Sequence, residues 1–236
     1  FIKAKKLGLF AVKLIKESID INPIYHAALD NLGNVMVSLH RYKEAEPRYL
    51  QIIDINSNLP KLYNALGIAL KTSGRLEEAI ESYDVALDID PDFAEAHYNK
   101  GKALVKSKRF DEAIACFERV VAINPYLENI YNSFGLAFVK LEKYADAISI
   151  YLAGLRLDPQ NDAIQYNLGN ANLQLGLIEN AIDCYREAIV INPYDASYHK
   201  KLGGVFMRQG FSDLGIAEFK KAIKIQPKLV GSYLLL

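Results

Sequence analysis

Tryptophan is missing from this chain, and only two cysteines, Cys116 and Cys184, occur in its 236 residues. Two thiols make no disulfide framework, so burial must hold the fold together. Neither sign of charge is in excess, since 28 Lys and Arg balance 28 Asp and Glu. That balance gives no pull towards nucleic acid or an anionic membrane. No run approaches the ~20 consecutive apolar residues that span a bilayer. Nor does the chain open with the basic and apolar stretches of a secretory signal. These absences point to a cytoplasmic protein without direct membrane insertion. The first residue is Phe1, which suggests a piece of a longer chain or one relieved of a targeting segment.

Glycine and proline are modest in number, 14 and 8, but their placement is regular. Pro23, Pro91, Pro125, Pro159, Pro193 and Pro227 lie at multiples of 34 residues, and Ser57 fills the one gap. Ten residues after each step comes a glycine: Gly33, Gly67, Gly101, Gly135, Gly169, Gly203. A small residue follows at Ala45, Ala79, Ala113, Ala147, Ala181 and Gly215, then an aromatic at Tyr49, Tyr83, Phe117, Tyr151, Tyr185 and Phe219. Four position classes locked to one period define an internal repeat.

On these residues the chain resembles the tetratricopeptide repeat family. The resemblance covers nearly the whole sequence and implies an all-α fold: a right-handed superhelical solenoid of stacked antiparallel helix pairs. Six repeats are expected at 26–59, 60–93, 94–127, 128–161, 162–195 and 196–229. Residues 1–25 read as the second helix of a partial repeat, and 230–236 as the start of a further repeat or a capping helix.

The same fold follows from physics. Each period carries two amphipathic runs of helical length, roughly Lys61–Thr72 and Leu76–Ile89 in the second. Gly74 separates them, free to take positive φ. Proline ends the second run, because the residue before it is driven out of helix. Glycine and alanine belong where helices cross closely, and the aromatics fill the space between hairpins. One hairpin cannot bury its apolar face alone, so stability comes from stacking. Four residues depart from the pattern. Pro47 should kink or shorten the second helix of the first repeat, and late Pro60 should make the next junction irregular. Lys100 stands in a leucine slot and should snorkel. Gly154 replaces alanine and should weaken its helix slightly. Repeats three and five also share features, as do two and four, which hints at duplication of a repeat pair.

No phosphate-binding loop, dinucleotide glycine motif, zinc-protease helix or nucleophile elbow is present. His97 and His199 occupy aromatic packing slots three repeats apart, too distant to share a metal. Cys116 and Cys184 lie two repeats apart, beyond bridging distance. The expectation is a non-enzyme without cofactor or metal.

Helix geometry identifies the surface to watch. In the first helix of each repeat, slots 4, 7, 8 and 11 face the core, and slots 2, 5, 6, 9, 12 and 13 point away. The resemblance implies that this second face lines a concave groove where ligands bind. Its basic residues are Lys61, Lys71, Lys102, Lys106, Lys140, Lys200, Lys201 and Arg208, against the acids Asp30 and Glu95. The outward slots of the second helices are acidic, with Glu77, Glu78, Glu81, Asp84, Asp88, Asp111, Glu112, Asp183 and Glu187 among them. The groove slots also hold Asn31, Asn34, Asn64, Asn99, Asn129, Asn132, Asn167 and Asn170, with Tyr98 and Tyr166. Amides donate and accept, which suits the backbone of an extended peptide. The reading is a protein-binding scaffold or adaptor whose basic, asparagine-rich groove takes an acidic or extended segment, and no nucleic acid. The resemblance also admits the recognition arm of a larger enzyme such as a glycosyltransferase, since a broken asparagine ladder runs through the groove, interrupted at Ala65, Ser133 and Lys201. Self-association through terminal repeats is a third reading, motivated by the apolar end Tyr233–Leu236. The lysine and asparagine set by which some members clamp chaperone tails does not occur in any three successive repeats, so that mode is not expected.

Overall fold

The computed structural model describes residues 57–227, preceded by Glu46, Pro47, Tyr49, Leu50 and Ile53. The partial repeat expected at 1–25, the segment 230–236, and Asn31 and Asn34 lie outside the described residues. Among those described there are ten α-helices and no strand. They are α1 Pro60–Thr72, α2 Leu76–Ile89, α3 Ala94–Lys106, α4 Phe110–Ile123, α5 Ile130–Lys140, α6 Tyr144–Leu157, α7 Asp162–Gln174, α8 Ile178–Ile191, α9 Ala196–Arg208 and α10 Ser212–Ile225. The second member of each pair starts at Leu76, Phe110, Tyr144, Ile178 and Ser212, a constant step of 34 residues.

The chain divides into two compact units, 1–127 and 128–236. In the first, α1 pairs with α2 and α3 with α4, α2 packs on α3, and α1 touches α3. In the second, α5–α6, α7–α8 and α9–α10 are the pairs, α6 packs on α7 and α8 on α9, and α5 touches α7. Each is therefore a stack of antiparallel helix hairpins.

One packing device repeats throughout. Tyr83, Phe117, Tyr151, Tyr185 and Phe219 are completely buried. Each ring lies over the glycine of its partner helix: Gly67, Gly101, Gly135, Gly169 and Gly203. A Cβ on Gly67 would sit 2.5 Å from Tyr83 Cε1, and one on Gly101 2.5 Å from Phe117 Cε1. The ring thus replaces the missing side chain within the hairpin. It also reaches the next hairpin, as Tyr151 does in packing with Ile164, Leu168 and Ala171 of α7. Burial of such rings is the largest apolar contribution a stacked pair can make, about 1.5–3 kcal/mol each.

The turns inside the hairpins use left-handed backbone. Gly74, Gly176 and Gly210 have φ of 86°, 74° and 82°. Lys108 and Glu142 occupy the same place in their hairpins with φ of 61° and 60°, where the sequence offers no glycine.

The departures resolve as follows. Pro47 is helical, while most of its helix and the junction beyond lie outside the described residues. Pro60 opens α1 at its first turn, where a missing N–H costs nothing. Lys100 carries its ammonium to the half-exposed Asp84 of α2, with which it pairs. Gly154 does more than soften α6. A Cβ there would lie 2.6 Å from Tyr131 Cβ and 2.9 Å from Ile164 Cδ1, so glycine lets α5 and α7 close on α6.

Candidate functional site

The site grows from the spacing of polar residues on first helices. Asn64 and Lys71, seven residues apart, share one face of α1, and Tyr98, Lys102 and Lys106 form an i, i+4, i+8 stripe on α3. Packing of α1 on α3 brings the two faces together. Asn99 Nδ2 donates to Asn64 Oδ1 at 3.1 Å, and Lys71 Nζ donates to Asn99 Oδ1 at 3.3 Å. The Lys102 ammonium stands 4.7 Å from the centre of the Tyr98 ring, a cation–π distance. Lys71 is half-buried beside like charges. Burial first, then Lys102 and Lys106, lower its pKa to about 8. Lys102, Lys106 and Lys61 are exposed.

The second unit repeats the amide bridge. Asn167 Nδ2 of α7 donates to Asn132 Oδ1 of α5 at 2.6 Å. The slot of Lys71 is taken here by Val139, and no ammonium joins the pair. Asn170 turns its carbonyl to the Tyr185 hydroxyl at 3.0 Å. Burial raises the pKa of Tyr166, and Asn170 opposes the rise. Lys140 is exposed near the end of α5.

Between α7 and α9 lies a hollow of about 460 Å³, lined by Tyr166, Leu173, Ser197, Lys200, Lys201, Gly204, Val205 and Arg208. Four of these, Tyr166, Lys200, Lys201 and Arg208, were singled out from sequence. Leu173, Ser197, Gly204 and Val205 were not, although Leu173, Ser197 and Gly204 fall in groove slots. A second hollow of about 420 Å³ is floored by Ile189, Leu202 and Phe206 and edged by Arg186, Val190, His199, Leu214, Glu218 and Lys221. Val190 and Leu214 on its edge are exposed, and of its lining only His199 was named from the sequence.

The structure thus gathers Asn64, Lys71, Tyr98, Asn99, Lys102 and Lys106 in one place, and Tyr166, Lys200, Lys201 and Arg208 in another. It ties Asn64 to Asn99 and Asn132 to Asn167, so part of their hydrogen-bonding capacity serves the stack. The opposite surface is less purely acidic than its slots suggested. Arg75 bonds Glu78 and Glu46, the latter at 2.7 Å, and Arg109 bonds Glu112 at 2.6 Å and Glu77 at 3.1 Å. Each arginine links its own turn to the preceding repeat. These exposed pairs add little to stability, because solvent screens them, but they neutralise much of the wall.

Among the described residues no three His, Cys, Asp or Glu converge on a point that could hold a metal. Both thiols are free, and burial pushes each up to about 11. His97 Nε2 lies 2.9 Å from the Pro91 carbonyl oxygen, and buried His199 meets Glu218 at 2.6 Å through Nδ1. No described helix is long and apolar enough to cross a membrane.

Hairpins of this length, stacked with a ring over a glycine in every described pair, define a helical-repeat solenoid. Tetratricopeptide repeat profiles match residues 69–108, 94–127 and 132–196. The chain belongs to the tetratricopeptide repeat family. Among solved structures, the fold is similar to that of YrrB, described as a tetratricopeptide protein with an unusual peptide-binding site, at 22% identity and a TM-score of 0.64 over 79% of this chain and 96% of that one. It is similar to MamA from Desulfovibrio magneticus RS-1 at 22% identity and a TM-score of 0.66, over 72% of this chain and 96% of that one. A tetratricopeptide repeat protein from Parabacteroides merdae matches 97% of this chain and 91% of its own at 17% identity, with a TM-score of 0.70. No curated protein matches the sequence at a significant level.

Proposed function

We propose that the chain is a non-catalytic interaction scaffold that holds an acidic, extended peptide segment along the exposed face of its first helices. The observation that carries this is the convergence of Lys71, Lys102 and Lys106. Burial and two like charges make Lys71 a reluctant cation, and its neighbours are the Asn99 amide oxygen and the Tyr83 ring rather than a carboxylate. A carboxylate arriving there relieves the repulsion, which is the condition under which an anion binds with net gain. Lys200, Lys201 and Arg208 offer a second basic station. Similarity to YrrB supports a peptide as the ligand, because the likeness extends to most of both chains.

The test is fluorescence polarisation with a labelled acidic peptide, on the wild type and on Lys102→Glu with Lys106→Glu. Removing two attractive charges and adding two repulsive ones should weaken binding at least tenfold. Binding should also weaken steeply with salt, the Debye length being about 8 Å at physiological ionic strength. Equal affinity of the two proteins refutes the assignment.

A further inference from the structure

Gly204 has no packing or backbone reason to be glycine. Every other helical glycine described, from Gly67 to Gly215, would bring a Cβ within 3.0 Å of a neighbour. Gly74, Gly176 and Gly210 take positive φ in turns. Gly204 sits inside α9, φ in the ordinary range, with nothing within 4 Å of an added Cβ. Glycine in a helix interior is destabilising relative to alanine, so what its place in α9 provides is empty space. In the five earlier repeats the slot holds Asn34, Ile68, Lys102, Leu136 and Asn170. Here the gap opens the hollow between α7 and α9.

The walls of that hollow have two characters. Leu173, Val205 and the Tyr166 ring are apolar, while Lys200, Lys201 and Arg208 are cationic, with no acidic residue among the lining. None of the three cations takes part in the ion pairs of the described residues. The volume, about 460 Å³, falls in the range of sites that bury a ligand group, ~300–1,000 Å³. An apolar floor beneath a basic rim fits neither a purely polar strand nor a bare apolar helix.

We infer that the hollow beside Gly204 is an anchor pocket for one large apolar side chain of the bound acidic segment, whose neighbouring carboxylates meet Lys200, Lys201 and Arg208. The inference rests on the peptide-binding reading and gives it a sequence preference. Gly204 is then the residue that sets specificity: any side chain at this position occupies the pocket from within.

The probes are three labelled heptapeptides: an acidic one with a central phenylalanine, the same with alanine, and an uncharged one with phenylalanine. Burying the ring should make the first bind about tenfold or more tighter than the second, and the rim should make it bind tighter than the third. Gly204→Leu should abolish the preference for phenylalanine while raising Tm by about 2–4 °C, because a better helix former enters open space. The rise in Tm separates a filled pocket from a broken fold, and Gly204→Ala should show both effects more weakly. Equal binding of the two acidic peptides, or a phenylalanine preference that survives Gly204→Leu, overturns the pocket and leaves the peptide-binding reading standing. Failure of both acidic peptides to bind the wild type overturns the pocket and the peptide-binding reading together.

Discussion

Lys108 and Glu142 hold the left-handed turn conformation that Gly74, Gly176 and Gly210 hold in the other hairpins, and the difference should be measurable. The turns are otherwise alike. Arg75 N donates to Leu70 O at 3.0 Å and Arg109 N to Leu104 O at 2.9 Å, the six-to-one bond that closes a helix C-terminus. Lys108 and Glu142 are both exposed. A left-handed non-glycine residue costs about 1–2 kcal/mol. Glycine returns that, but gives up about 0.4–1 kcal/mol through the freer unfolded chain. Lys108→Gly and Glu142→Gly should therefore each stabilise by about 0.5–1 kcal/mol, and Gly74→Ala should destabilise by about as much. Urea unfolding followed by circular dichroism reads the change as a shifted midpoint at constant slope. The two stabilising substitutions are a full repeat apart and should add. A drop in stability on either glycine substitution, or a gain from Gly74→Ala, would show that the turn conformation carries no strain.

Two further outcomes follow from the packing and the charges. Gly101→Ala forces a methyl group to within 2.5 Å of the buried Phe117 ring and should cost about 1–3 kcal/mol by overpacking, read in the same unfolding experiment, while the same change at Gly204 stabilises. Lys71 has a folded pKa of about 8 against an ordinary 10.5. Between those values the unfolded chain holds the proton and the folded one does not, so stability rises with pH across that window. Affinity for an acidic peptide should fall as pH rises through about 8, and a Lys71→Met variant should lose that step.

The fold was legible because its repeat is read by packing. A ring and the glycine beneath it lie sixteen residues apart in every hairpin, so Tyr83 and Gly67 announce each other in the sequence. The basic face was legible for the same reason: Tyr98, Lys102 and Lys106 fall on one stripe once the helix is placed. What escaped depended on the distance between neighbouring first helices. Helical slots put Asn64 and Asn99 on the same face, but only the close approach of α1 and α3 joins their amides and brings Lys71 to Asn99. Lys108 and Glu142 gave no sign of left-handed backbone, because neither side chain prefers it. The hollow at Gly204 escaped because it is made by a side chain that is not there.

The amide bridges have a consequence for how such a chain can be lengthened or shortened. Asn64 meets Asn99, and Asn132 meets Asn167, so the pattern recurs only after 68 residues. Excising residues 94–127 would set Ser133 in line with Asn64, whereas excising 94–161 would set Asn167 there. Growth by tandem copying keeps every carbonyl facing its donor when two hairpins travel together, and loses the match when one travels alone.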